Sequence, residues 1–304
     1  MIEAPISITV VMLTYNEEIH IERCLRSLQR IASKIFIVDS YSMDRTVDIA
    51  ESLGAVVVQR KWKNYADQFQ WGLDHCGDES EWVMRMDADE YLEPALQQEI
   101  LLRLPSLTDV GGVYINRKQF FYGKWIKHGG RYPLTLLRIW RNGQGRIEQR
   151  WMDEHIILTG DARTVILDGN LVDDNLKGIS FFVDKHNSYA TREAVDVLNQ
   201  KYNLFKKDES IKLTNDPQAK RKRLLKDGVY SKLPIALRSM FYFIFRYVFQ
   251  LGFLDGGKGF IYHFMQGYWY RMLVDIKIME IEERSDGDAV KMKQILAEEY
   301  GIKL

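Results

Sequence analysis

Only two cysteines occur in 304 residues, Cys24 and Cys76, too few and too widely spaced for a metal knuckle or a disulfide framework. A reducing compartment suits them. No run of 18 uncharged apolar residues exists, so no spanning helix is expected. The opening Met1-Ile2-Glu3-Ala4-Pro5 lacks the basic and long apolar regions of a signal peptide. Net charge is missing as well, because 42 basic residues offset 42 acidic ones, and a nucleic-acid-binding protein gains no support from that balance. No glycine-rich loop follows either of the first two apolar runs, which leaves a Walker or Rossmann phosphate cradle unsupported. With 46% apolar residues the chain can bury one large core or two modest ones, and disorder is not expected.

The charge balance hides an asymmetry. Residues 201–238 hold eleven basic residues against four acidic, about +7 locally. Within them Lys220-Arg221-Lys222-Arg223-Leu224-Leu225-Lys226 is a cluster of the kind that lies on anionic lipid. Pro234 to Met272 then carries thirteen aromatic residues, interrupted by Arg238, Arg246, Asp255, Lys258 and Arg271. No piece is long enough to cross a bilayer, so an interfacial helical pair joined near Leu254 to Gly259 is expected. The alternative is a hairpin packed on the catalytic domain or on a second subunit. Glu280 to Leu304 reads as a terminal solvated helix.

The first ~105 residues alternate strand and helix. Strands are expected at Ile6–Leu13, Lys34–Asp39, Ala55–Gln59 and Trp82–Asp87, with helices at Ile19–Ile31, Asp44–Leu53 and Tyr65–His75. Four βα units imply a mostly parallel sheet flanked by helices, with ligands at the carboxyl ends of the strands. Three such ends are polar. Thr14-Tyr15-Asn16-Glu17-Glu18 follows the first strand, and Asp39-Ser40-Tyr41-Ser42-Met43-Asp44 the second. Asn16 and Asp44 also read as helix N-caps. Asp39, ending a buried strand, is placed to accept from a base or ribose. Asp87-Ala88-Asp89 ends the fourth strand with hard oxygen donors that suit Mg²⁺ or Mn²⁺ on a diphosphate, or that cap the turn before Glu93-Pro94.

Taken in order, these motifs resemble the inverting family-2 glycosyltransferases of the GT-A fold. Tyr65 to Leu73 and Asp87-Ala88-Asp89-Glu90 are similar to the bacterial subgroup that builds lipopolysaccharide cores and other surface glycans. The resemblance covers roughly residues 6–195. It implies a nucleotide-sugar donor, a Mn²⁺ or Mg²⁺ cofactor and inversion at the anomeric carbon, with a UDP-hexose as the first candidate. It assigns the nucleoside to Thr14, Asn16, Glu17 and Asp39, and ribose, diphosphate and metal to Asp87 and Asp89, the latter as direct ligand. Gln68 lies in Ala66-Asp67-Gln68-Phe69-Gln70, where the wider family carries an arginine toward the donor, and counts among the donor contacts.

Inverting transfer needs a carboxylate to take the acceptor hydroxyl proton. Trp151-Met152-Asp153-Glu154-His155 supplies two, and adjacent residues of an extended segment face opposite ways. Glu154 matches the family's acidic position and is favoured over Asp153. Tyr122 to Gly130, rich in glycine and aromatic groups, suits a sugar-stacking loop or a plain surface loop. Asp184-Lys185-His186-Asn187-Ser188-Tyr189-Ala190-Thr191-Arg192-Glu193-Ala194 resembles a helix of the same subgroup. His186 there either completes the metal shell or holds the helix in place.

The expected organisation is a GT-A domain over 1–195 and a helical, basic and aromatic region over 196–304 for membrane or dimer contact. The expected role is sugar transfer to a lipid-linked or lipopolysaccharide-type acceptor at the inner face of a bacterial cytoplasmic membrane. Alternatives are a metal-dependent nucleotidyltransferase or an inactive scaffold of the same fold.

Overall fold

The computed structural model describes residues 6–148, 154–205 and 235–302. It divides into two compact units, the first reaching Leu176 and the second beginning at Lys177. The boundary at 195 expected from the sequence therefore lies inside a helix.

The first unit is built on strands that alternate correctly for burial on both faces. In β1 (Ile8–Thr14), Ile8, Val10 and Met12 join one core cluster and Val11 the opposite one. β1 pairs in parallel with β2 (Lys34–Asp39) and with β4 (Trp82–Asp87), and β2 pairs in parallel with β3 (Val56–Gln59). The crossovers are α1 (Ile21–Leu28), α2 (Thr46–Ser52) and α3 (Tyr65–His75). Asn64 caps α3, accepting the Asp67 N–H at 2.8 Å.

Beyond β4 the sheet becomes mixed. The short β5 (Glu90–Leu92) and α4 (Pro94–Arg103) lead to β6 (Val110–Phe121), β7 (Lys124–Ile126) and β8 (Leu134–Arg141). After β9 (Gly145–Ile147) and β10 (Ile156–Leu158) comes β11 (Arg163–Asp173). Among the described residues the main sheet runs β3-β2-β1-β4-β8-β6-β11-β5, with β7 on β6. β8 is antiparallel to both β4 and β6, while β11 is parallel to β6. The parallel half ends three polar strand tips on one edge, which positions the site. The mixed half adds β5 and β11, which deliver Glu90 and Asp173 beside the same edge. Mixed α/β architecture of the GT-A kind is thus present.

The second unit is helical among its described residues. It contains α5 (Ile179–Tyr202), α6 (Ile235–Ile244), α7 (Gly256–Phe264), α8 (Tyr270–Ser285) and α9 (Ala289–Tyr300). Val195 and Leu198 pack with Ile281, Met292 and Leu296. The expectation of a solvated tail after Glu280 is corrected here. The chain turns at Asp286, whose φ is 50°, and α9 folds back to bury Met292 and Leu296, with Asp288 capping two of its N–H groups. No described helix is long and apolar enough to cross a membrane.

Candidate active site

The tips of β1 and β2 are laced together. Thr14 Oγ1 donates to Asp39 Oδ1 at 2.9 Å, the Ser42 hydroxyl donates to the same oxygen, and the Ser42 N–H donates to Oδ2 at 2.8 Å. Gln59 Nε2 also donates to Oδ2, at 3.2 Å. Asp39 is fully buried. Its four lone-pair directions are met from inside the protein, so in this structure it organises the loops instead of reaching outward as expected for a base contact.

Asn16 sits at φ 54° and is not a helix cap. Its N–H donates to Ser42 Oγ at 2.8 Å, and its Oδ1 accepts the Met43 N–H at 2.8 Å. Glu17 and Glu18 donate backbone N–H groups to Thr46 Oγ1 and Asp44 Oδ2. Asp44 does act at the start of α2, accepting the Thr46 N–H at 3.0 Å. The lacing leaves Tyr15 and Tyr41 exposed on these loops, Tyr41 at φ 62°. A left-handed tyrosine is strained, and such strain gathers at functional sites. Neither ring carries a periodic signal in the sequence.

Gln68 is likewise turned to the frame. It is fully buried, accepts from Arg60 Nη1 at 2.6 Å and donates to Arg60 O at 3.0 Å, bracing the residue that follows β3.

Asp87 and Asp89 separate by role. Asp87 Oδ1 accepts from the Tyr65 hydroxyl at 2.9 Å, with Arg85 Nε at 3.9 Å and Arg138 Nη2 at 3.7 Å from the carboxylate. Burial works to raise the Asp87 carboxyl, but the Arg85 and Arg138 guanidiniums and the Tyr65 hydroxyl overcome it and hold the group below the usual carboxylate range. Glu90, behind it, accepts the Asp87 N–H at 2.9 Å and pairs with Arg138 at 2.5 Å. Burial and the Asp87 charge push Glu90 up against the pull of Arg138. Arg138 is buried, and its Nε and Nη1 have no hydrogen-bond partner among the described residues. An under-satisfied buried cation costs stability and is expected where function requires it.

Asp89 is half-buried at the rim and belongs to a different network. Asn175 Nδ2 donates to Asp89 Oδ2 at 2.9 Å, and the Asp174 N–H donates to Asp89 O at 3.2 Å. Arg23 clamps Asp174 through an ion pair of 2.9 Å and its carbonyl at 2.6 Å. Leu176 N–H donates to His20 Nε2 at 2.8 Å, so the ring proton lies on Nδ1, facing Glu17 Oε2 at 2.6 Å. The stretch after β11 thus ties the Asp89 turn to the Glu17 loop. The sequence contained Asp174 and Asn175, but no spacing signal marked them as partners of Asp89.

Glu154 stands close enough to Arg85 to act on its charge, and Arg85 Nη1 donates to Glu154 O at 3.2 Å. One strand therefore anchors both the Asp-x-Asp and the expected base segment. Asp153 lies outside the described residues. Glu148, fully buried and unremarked in the sequence, joins the same segment where its N–H donates to His155 O at 2.9 Å.

Among the described residues no group of three or more His, Cys, Asp or Glu side chains forms a metal cluster. His186 lies in the helical unit, with Nδ1 against Phe182 O at 2.7 Å and Nε2 against Gln266. Both ring nitrogens are thus placed against groups of the helical unit. What remains is an all-oxygen rim centred on Asp89, with Asp87 neutralised by arginines. One or two carboxylates fit Mg²⁺ or Mn²⁺ when substrate phosphate supplies further ligands.

The chain is similar to several known proteins. An uncharacterized glycosyltransferase of Rickettsia bellii is 43% identical over 93 residues, 31% of this chain and 31% of that one, so it is matched over about a third of its length. The lipopolysaccharide core biosynthesis glycosyltransferase LpsC of Rhizobium meliloti is 30% identical over 199 residues, covering 62% of this chain and 70% of LpsC. Glucosyl-3-phosphoglycerate synthase from Mycobacterium tuberculosis, solved with Mn²⁺ and uridine diphosphate, aligns at 22% identity over 38% of this chain and 44% of its own, with a TM-score of 0.30. The profile of glycosyl transferase family 2 matches residues 9–166, over half of the sequence, and the chain belongs to that family.

Proposed function

We propose that the protein transfers a hexose from a UDP-sugar, with inversion, to a lipid-linked or lipopolysaccharide-type glycan at the inner face of a bacterial cytoplasmic membrane. The observation that carries this reading is the division of labour at the end of β4. Asp87 is held by two arginines and a tyrosine, and Asp89 is oriented toward the rim by Asn175.

Thr14, Asn16, Glu17 and Asp39 act by fixing two loops on which Tyr15 and Tyr41 offer faces to the base. Asp89, with Asp87 behind it, holds a Mn²⁺ or Mg²⁺ ion, which when bound offsets charge on the departing diphosphate. The acceptor oxygen forms the new bond to the anomeric carbon as the bond from that carbon to the diphosphate breaks. Glu154 takes the acceptor hydroxyl proton, and the nucleoside diphosphate leaves. The acceptor class follows the name of the LpsC relative and the basic-aromatic composition after Lys220, whose residues up to 234 lie outside those described.

A thermal-shift panel of nucleoside diphosphates and nucleotide sugars, with and without Mn²⁺, tests the reading on wild type and Asp89→Asn. Site-specific binding raises the unfolding temperature by mass action. The expected result is a Mn²⁺-dependent shift with uridine nucleotides that Asp89→Asn loses. No shift with any nucleotide would remove the reading.

A further inference from the structure

The stretch from α6 to α7 is built inside out. Gln250 and Leu251 break the helical path, Leu251 at φ 61°, between a π-helical turn at Phe245–Phe249 and a short 3₁₀ turn at Gly252–Asp255. Large apolar side chains point to solvent on both sides of this break, among them Phe241, Phe245, Leu254, Phe260 and Ile261, with Phe249 73% exposed. The ionisable groups point inward. Arg246, Asp255 and His263 are all buried, Arg246 Nη2 lies 3.3 Å from His263 Nδ1, and His263 Nε2 lies 3.4 Å from Asp255 Oδ2.

Close approach is written into the sequence. A Cβ at Gly252 would stand 2.8 Å from the His263 ring, and one at Gly259 would stand 2.3 Å from Asp255 Cβ. Apart from tyrosines, Lys258 is the sole exposed ionisable side chain among the described residues 237–264. Water favours the opposite distribution, since buried ionisable groups cost free energy and exposed apolar area does too. Hydrocarbon as solvent favours this one: charged groups face the interior and pair with each other, and small residues let helices meet closely.

We propose that the α6–α7 hairpin inserts its tip, Phe249 to Leu254, into one leaflet of a lipid bilayer without crossing it. The Arg246–His263–Asp255 cluster closes the hairpin from within, so that no ionisable group of the tip meets the acyl chains. A second copy of the chain is the less suitable occupant, because the exposed apolar side chains are spread over both arms and the break between them, from Phe241 to Ile261. The inference deepens the membrane part of the proposed function. Its readout is vesicle binding and not sugar transfer, so either can fail alone.

The test is flotation of the full chain with phosphatidylglycerol–phosphatidylethanolamine vesicles, on wild type and on Phe249→Glu/Leu254→Glu. Both side chains are exposed, and unchanged unfolding by circular dichroism establishes that the variant folds. Wild type is expected to float, and the double variant to lose about tenfold or more in vesicle partitioning. Single Leu254→Trp, in vesicles with brominated acyl chains, should give added fluorescence that the bromines quench. Equal flotation of wild type and double variant overturns the proposal. So does a lipid-free dimer that the double variant dissociates, with no flotation by either protein.

Discussion

The Asn175 amide donates to Asp89 Oδ2 at 2.9 Å, across 86 residues of sequence, and orients that carboxylate. Partners that orient a metal ligand typically matter by about 10–100-fold in metal affinity. Asn175→Ala should therefore raise the Mn²⁺ concentration needed for half-maximal UDP binding by about tenfold, with a smaller effect on kcat at saturating metal. Calorimetric titration of Mn²⁺ in the presence of UDP measures it. Equal loss in kcat and in metal affinity would mean that Asn175 only supports the fold.

Asp39 presents a discriminating case. Two of its four donors are hydroxyls, Thr14 Oγ1 and Ser42 Oγ, and both meet Oδ1. A hydroxyl can turn to accept, so Asp39→Asn can place its NH₂ on that side and keep the Ser42 N–H and Gln59 contacts at the other oxygen. The expected cost is about 1–2 kcal/mol, against a larger loss for Asp39→Ala, which leaves every donor unpaired. Urea unfolding gives the ranking. UDP affinity of folded Asp39→Asn should stay within about threefold of wild type, since the carboxylate supports the loops; a much larger drop would restore Asp39 as a direct base contact.

These cases show what the sequence carried. The parallel half of the sheet was legible because Ile8 to Leu13 is apolar but for Thr9, and Trp82 to Met86 but for Arg85, each run ending in a polar tip, and a buried strand has few other ways to read. Asp87 and Asp89 were legible as a pair for the same reason. Their separate roles were not, because Arg138 comes from β8 and Asn175 from beyond β11, and strand order in a mixed sheet has no local signature. Gln68 and His186 carried family-like positions, yet their hydrogen bonds are spent on Arg60, Phe182 and Gln266. The α9 turn was missed because Met292 and Leu296 are too few to announce a buried face within a charged stretch.

The Asp87–Glu90 pair predicts a pH dependence with two signs. Asp87 is held below its unfolded range, so its contribution is present above ~3.9 and is lost as pH falls through the lowered value. Glu90 is pushed above its unfolded range by burial and by Asp87, so its contribution is full below ~4.3 and declines as pH rises through the raised value. Unfolding midpoints from pH 2 to pH 9 should show the gap between wild type and Asp87→Asn closing on the acid side. Glu90→Gln should flatten the decline that sets in above ~4.3 and levels off past the raised value. A constant gap for Asp87→Asn across the whole range would remove the claim that its charge is what Arg85 and Arg138 stabilise.

Glu154 is tied to β4 by its backbone, through Arg85 Nη1 at 3.2 Å, so replacing its side chain leaves that anchor in place. Glu154→Gln should accordingly retain Mn²⁺-dependent UDP binding while lowering turnover by about 10²-fold or more, the usual scale for loss of a general base. The two readouts separate the role from a structural one, because a displaced segment would disturb donor binding as well. Single-turnover transfer from a UDP-sugar at saturating acceptor gives the chemical step directly. If turnover is unchanged, the proton goes elsewhere, and Asp153→Asn, at the neighbouring acid in the sequence, becomes the variant that must show the loss.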